Sequence, residues 1–208
     1  GGGYNNLILR IRTGEMFCST LDKEDFYMKP VKKILALILA GVMALALLTG
    51  CGKATSLNRT IAEGMGEYLN YMRSVSNNPD PVPVSYQVPE LSRNIAPLFD
   101  ENWIKLDDDG QPVLNDTHKI NGKTIEEALK DIMSPYKSAT SITFLIADVT
   151  DVKTVFTETI KLLDSTLKIN VTGKFNVSLS TATNVRVAVV HKTVKGRTYA
   201  LGVVITEA

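Results

Sequence analysis

At 208 residues and 44% hydrophobic content, the chain has room for one globular domain and little more. Six of its 23 basic residues and four of its 22 acidic ones fall before residue 51, which leaves 17 basic against 18 acidic in residues 51–208. That balance, with no block of like charge, excludes nucleic-acid binding, which needs a concentrated basic face to release counterions from phosphate.

Residues 1–27 form a polar leader ahead of Met28. The run Lys23-Glu24-Asp25-Phe26-Tyr27-Met28 can be written in codons as AAG GAG GAT TTT TAT ATG, which holds AGGAGG a few bases before ATG. We read 1–27 as untranslated upstream sequence carried into an over-long reading frame. From Met28 the chain runs Met-Lys-Pro-Val-Lys-Lys and then stays uncharged from Ile34 to Leu48. A basic start, a short apolar run and a small-residue end make residues 28–50 a signal peptide, since a membrane span needs about 20 apolar residues. The end of the run, Leu48-Thr49-Gly50-Cys51, resembles the lipobox of bacterial lipoproteins. The resemblance implies signal-peptidase recognition through Leu48, Thr49 and Gly50, cleavage before Cys51, and lipidation of the Cys51 sulfur. The implied protein is a lipoprotein held at the cell membrane on its extracytoplasmic side. Cys18 and Cys51 are the two cysteines, so the domain beyond the anchor would have neither free thiol nor disulfide.

Residues 51–58 read as a tether and 59–208 as the globular domain. Ile61, Met65, Tyr68, Leu69, Met72 and Val75 follow helical spacing, with Thr60-x-x-Glu63 as a candidate capping box. Pro79, Pro81 and Pro83 impose an extended connector. Pro89 to Leu98 predicts a short helix opened by proline, with Leu91, Ile95 and Leu98 on one face. Asp107-Asp108-Asp109-Gly110 is a solvated turn, lacking the alternating ligands and the Glu of a calcium loop. Thr124-x-x-Glu127 opens a helix with Ile125, Ala128, Leu129, Ile132 and Met133 inward. Ile142 to Val149 suits a buried strand. Asp151 then caps a helix whose inner face is Val152, Val155, Phe156, Ile160 and Leu163. Val185 to His191 and Tyr199 to Thr206 form a hairpin around residues 192–197. The expected fold is α+β, a three-layer α-β-α sandwich with helices on both faces of a small mixed or antiparallel sheet that ends in this hairpin.

Catalytic motifs are hard to find. The domain has two histidines, His118 and His191, with no His-x-x-x-His or His-x-x-Glu spacing for zinc. It has no Gly-x-Ser-x-Gly elbow and no phosphate-cradling loop. Glu126, Glu127, Asp131, Asp151 and Glu158 read as solvated helix faces, His191 as an exposed strand end, and Trp103 and Tyr136 as core. Gly64-Met65-Gly66 within a helix points to close packing.

The order of elements, with Leu69-Asn70-Tyr71-Met72-Arg73, Val88-Pro89-Glu90-Leu91, Leu163 to Asn170, Val185 to Val189 and Gly196-Arg197-Thr198-Tyr199, resembles the CAP/SCP-like domains (cysteine-rich secretory, antigen 5 and pathogenesis-related proteins). The resemblance implies a candidate cleft formed by His118, Phe144, Lys168 and Tyr136. His118 would occupy one of the family's two histidine positions. Lys168 replaces the other and Phe144 an acidic residue, so the resemblance implies a kept fold without a metal site. The expectation is a lipid-anchored envelope protein with a binding domain that is not catalytic and uses no cofactor or metal. Its partners are the membrane, through Cys51, and a small apolar molecule, a glycan or a protein. A metal-assisted hydrolase using His118, and a structural lipoprotein of unrelated α+β fold, are the alternatives.

Overall fold

A computed structural model describes residues 56–75, 80–171 and 181–208. The expectations for residues 1–27, the signal peptide, Leu48, Thr49, Gly50 and Cys51 lie outside these. Among the described residues no helix is long and apolar enough to cross a membrane.

The chain folds as α+β around a five-stranded mixed sheet. Helix α1 spans Leu57–Val75 and strand β1 is the two residues Val84–Ser85. A π-helical turn at Leu91–Ile95 and a 3-10 turn at Glu101–Trp103 follow. Two small antiparallel pairs come next, β2 (Ile104–Leu106) with β3 (Pro112–Leu114), and β4 (Lys119–Ile120) with β5 (Lys123–Thr124). Helix α2 (Ile125–Ile132) leads to β6 (Ala139–Asp148), helix α3 (Val155–Leu163), β7 (Leu167–Asn170) and the hairpin β8 (Asn184–Val194) and β9 (Arg197–Glu207). The sheet order is β1-β8-β9-β6-β7. Among the described strands of the sheet only β1 runs parallel to its neighbour.

Local chemistry explains most element ends. The Thr124 hydroxyl accepts from the Glu127 N–H while the Glu127 carboxylate accepts from the Thr124 N–H, so the expected capping box at α2 is present. At α1 the cap is Ser56, whose Oγ accepts from the Arg59 N–H. Glu63 pairs instead with Arg59 one turn before it, at 2.6 Å. At α3 Thr154 replaces Asp151 as cap, accepting from the Thr157 N–H. The hairpin turns in two residues, Lys195 and Gly196, both at positive φ. This primed turn matches the strand twist and carries the strands further than the expected six-residue loop.

Each face of the sheet has its own core. On one, Ile61 and Met65 of α1 and Leu162 of α3 meet Val185, Val187 and Val189 of β8, together with Leu145, Ala147 and Ala200. On the other, Leu91, Ile95, Phe99, Trp103 and Leu129 cover Phe144, Ile146, Ile169, Tyr199 and Leu201. The CAP/SCP resemblance implies opposite faces for the helices containing Leu69 and Val155; they share one. Small side chains are the cause. Ala147, Ala200 and Gly202 leave room for a helix, and a Cβ added at Gly202 would lie 2.9 Å from Leu162 Cδ2. Gly66 likewise admits Tyr86, whose Oη would lie 2.6 Å from an added Cβ.

The Leu69–Arg73 run has a local task. Asn70 brackets the backbone of Val82, accepting from its N–H at 2.8 Å and donating to its carbonyl at 3.2 Å. Buried Arg73 donates to the carbonyls of Asp80 (2.8 Å) and Ala182 (2.9 Å). One turn of α1 therefore pins the proline-rich connector and the approach to β8.

Candidate binding groove at the open edge of the sheet

Strand β1 pairs with β8 only at Val84↔Val185 and Ser85↔Arg186. The chain then leaves because Tyr86 turns onto α1, its ring packing over Gly66 and beneath the Arg59 guanidinium, 4.1 Å from the ring centroid. Pro89, three residues on, has no N–H to offer a ladder. The departure opens a groove of about 500 Å³ between residues 86–93, Ala188–Val190 of β8, and Asn58 at the start of α1. Val88, Pro89, Leu91 and Val190 make its apolar part, and Asn58, Gln87, Ser92 and Arg93 contribute polar groups.

Behind the groove lies a tie between three elements. His191 of β8 bonds Glu158 of α3 through Nε2 and Asn58 of α1 through Nδ1, the latter at 2.5 Å. Glu158 is 6% exposed. This overturns the expectation of a solvated Glu158 and an exposed His191. The inner stripe of α3 is Glu158, Thr159 and Leu162, because 155, 158, 159 and 162 share a helical face. Both imidazole nitrogens are engaged, so the ring has no free lone pair for a substrate proton; it fixes Asn58 at the groove wall.

A second polar cluster stands nearby on the Phe144 side of the sheet. The Tyr136 hydroxyl donates to Glu90, which adjoins Pro89, and the Arg186 guanidinium lies 5.8 Å from the Tyr136 ring centroid. Burial, and then the Glu90 carboxylate, push the Tyr136 hydroxyl above its ordinary pKa. Glu207 accepts from Asn184 (2.7 Å), Ser138 (3.1 Å) and Arg186 (3.3 Å). The Asn184 bond leads the contacts that hold its carboxyl below the usual range.

The four residues expected to share a cleft do not come together. Phe144 is core, lining a small internal void with Leu91, Ile95 and Trp103. Lys168 of β7 pairs with Leu145 of β6, so strand alternation points it to the opposite face from Phe144. His118 precedes the β4–β5 pair, whose Ile120 belongs to the Phe144 core, and its N–H donates to the Asn115 carbonyl. Tyr136 sits over a separate depression with Met133 and Val171. Trp103 is core, as expected. Among the described residues no three His, Cys, Asp or Glu side chains are grouped to hold a metal. Comparisons with family models, with curated proteins and with solved structures found no match.

The sequence reading missed Asn58, Gln87 and Arg93 because the groove depends on where β1 stops. It could have found the Glu158–His191 tie: residue 191 continues the inward alternation of 185, 187 and 189, just as residue 158 falls on the inner stripe of α3.

Proposed function

We propose that the chain is a lipid-anchored, extracytoplasmic envelope protein whose domain acts as a binding module and not as an enzyme. The observation that carries the binding role is the groove of about 500 Å³ beside the open edge of β8. The engagement of both His191 nitrogens supports a holding role over proton transfer. The anchor rests on the apolar run that ends at Leu48-Thr49-Gly50-Cys51. We read the two cores as the halves of a three-layer arrangement, with α1 and α3 as one outer layer and the Leu91 turn with α2 as the other. Such layering suits a rigid platform with its ligand at an edge.

Two measurements test this reading. Cys51→Ala should abolish palmitate labelling in cells and leave unprocessed precursor; unchanged labelling would reject the anchor. Titration of the Cys51→Ala chain with short peptides, disaccharides and aliphatic alcohols should shift amide resonances clustered on Asn58, Gln87, Ser92 and Arg93. Shifts confined to other surfaces would reject the groove.

A further inference from the structure

Resting on the groove as the binding site, we infer that its occupant is an extended, acidic peptide segment that adds to the sheet as a new strand along β8. The Val185 N–H donates to the Pro83 carbonyl, which puts the edge-facing backbone groups of β8 on its odd-numbered residues. Strand β1 ends at Ser85, opposite Arg186. Beyond it, the N–H and C=O groups of Val189, His191 and Thr193 face the open edge, with no strand partner there among the described residues.

This edge has the regular backbone that a further strand needs. Bulges, prolines, covering loops and charges guard sheet edges against addition; of these β8 carries Lys192 and His191, the latter tied inward to Glu158. From Val187 to Val194 β8 keeps an unbroken register with β9, contains no proline, and presents Val189 and Val190 in the groove. The span of eight residues is about 26 Å at 3.3 Å per residue, room for a segment of six or seven.

Charge selects the partner. Among the described residues Arg93 is the one cationic side chain lining the groove, Lys192 follows on the strand, and neither has an ion-pair partner. A second copy of this chain would bring the same two cations to an edge that already carries them. A peptide bearing a carboxylate meets them with opposite sign, while its backbone supplies the missing ladder.

The experiment uses the full chain with Cys51→Ala in mild detergent. The probe is a fluorescent heptapeptide of alternating valine and threonine with a central glutamate. We expect saturable binding, slowed amide exchange across residues 187–194, and a large asymmetry between two N-methylated versions. Methylation at one alternate set of residues should weaken binding at least tenfold, and at the other set hardly at all, because only one set faces β8. Arg93→Glu should weaken the glutamate peptide about tenfold and favour its lysine counterpart. Equal affinity of both methylated peptides, with shifts still at Asn58 and Gln87, would overturn strand addition and leave the groove reading standing. No peptide binding, or a concentration-dependent dimer that protects residues 187–194, would overturn the inference as well.

Discussion

The two faces of the central sheet are covered in different ways, and the side chains beneath account for the difference. Under α1 and α3 lie valines, Ala147, Ala200 and Gly202, which let regular helices come close. The opposite face carries Phe144, Tyr199 and a row of leucines and isoleucines, covered by two irregular turns, two small antiparallel pairs three and two residues deep, and the short α2. Irregular chain offers few aligned side chains per residue, so it buries its share through large ones: Phe99 stands 5.5 Å from Trp103 and 5.1 Å from Tyr199 in edge-to-face contact. The helical face has shape fit and polar ties such as Glu158–His191 and Arg73–Ala182; the irregular face has bulk.

If bulk holds the irregular face, the largest loss should come from Trp103→Ala, about 4 kcal/mol by urea unfolding. Trp103→Phe should cost far less, since Trp103 Nε1 has no hydrogen-bond partner among the described residues. A large loss for the Phe variant would show an unseen polar role there. On the helical face, Glu158→Leu or His191→Leu alone should cost roughly 2 kcal/mol, because each leaves a hydrogen-bond partner, half-buried His191 or buried Glu158, unpaired. The double variant should cost clearly less than the sum; additive losses would mean the tie is not coupled. Gly202→Ala should cost about 2 kcal/mol by forcing Leu162 away, with part of the loss recovered on adding Leu162→Val. Thr124→Ala, which breaks the capping box of α2, should cost about 1 kcal/mol.

The smallest effect is the pH response of Glu207. Its carboxyl is held below the ordinary value by Asn184 first, then Ser138 and Arg186. The folded pKa lies below the unfolded one, so this contribution is full above the usual glutamate pKa, near 4.3, and fades as pH falls through the folded value. Glu207→Gln should flatten that part of the acid limb in urea titrations between about pH 5 and 3. An unchanged acid limb would place the sensitivity elsewhere.

What was legible in the sequence was whatever depends on short range. The α2 capping box, the Asp107–Gly110 turn and the helical stripe of Ile61 and Met65 each need fewer than ten residues to specify. The hairpin was legible because two β-rich runs flank a short polar stretch, although its turn is the two residues Lys195-Gly196 and not the expected loop 192–197. Three things were not. Strand β7 is four residues long and holds Lys168 and Asn170, too few apolar positions to separate it from a loop. The sharing of one face by α1 and α3 depends on Gly202 and Ala200 standing opposite Leu145 and Ala147, a cross-strand register that no single segment encodes. The groove was hidden for the same reason, as it exists only because Tyr86 turns to α1 rather than continuing beside β8.

Strand β9 lies in the middle of the sheet, between β8 and β6, yet it follows both in the chain. The ladder that joins the two halves therefore cannot form until residues 197–207 have been made. Before then β8 has only the two-residue β1 beside it and β6 only the four-residue β7. A chain arranged this way keeps the two halves of its sheet unjoined until β9 has been made. Removing residues 197–207 should therefore leave a species whose two halves never assemble, since both long ladders run through β9.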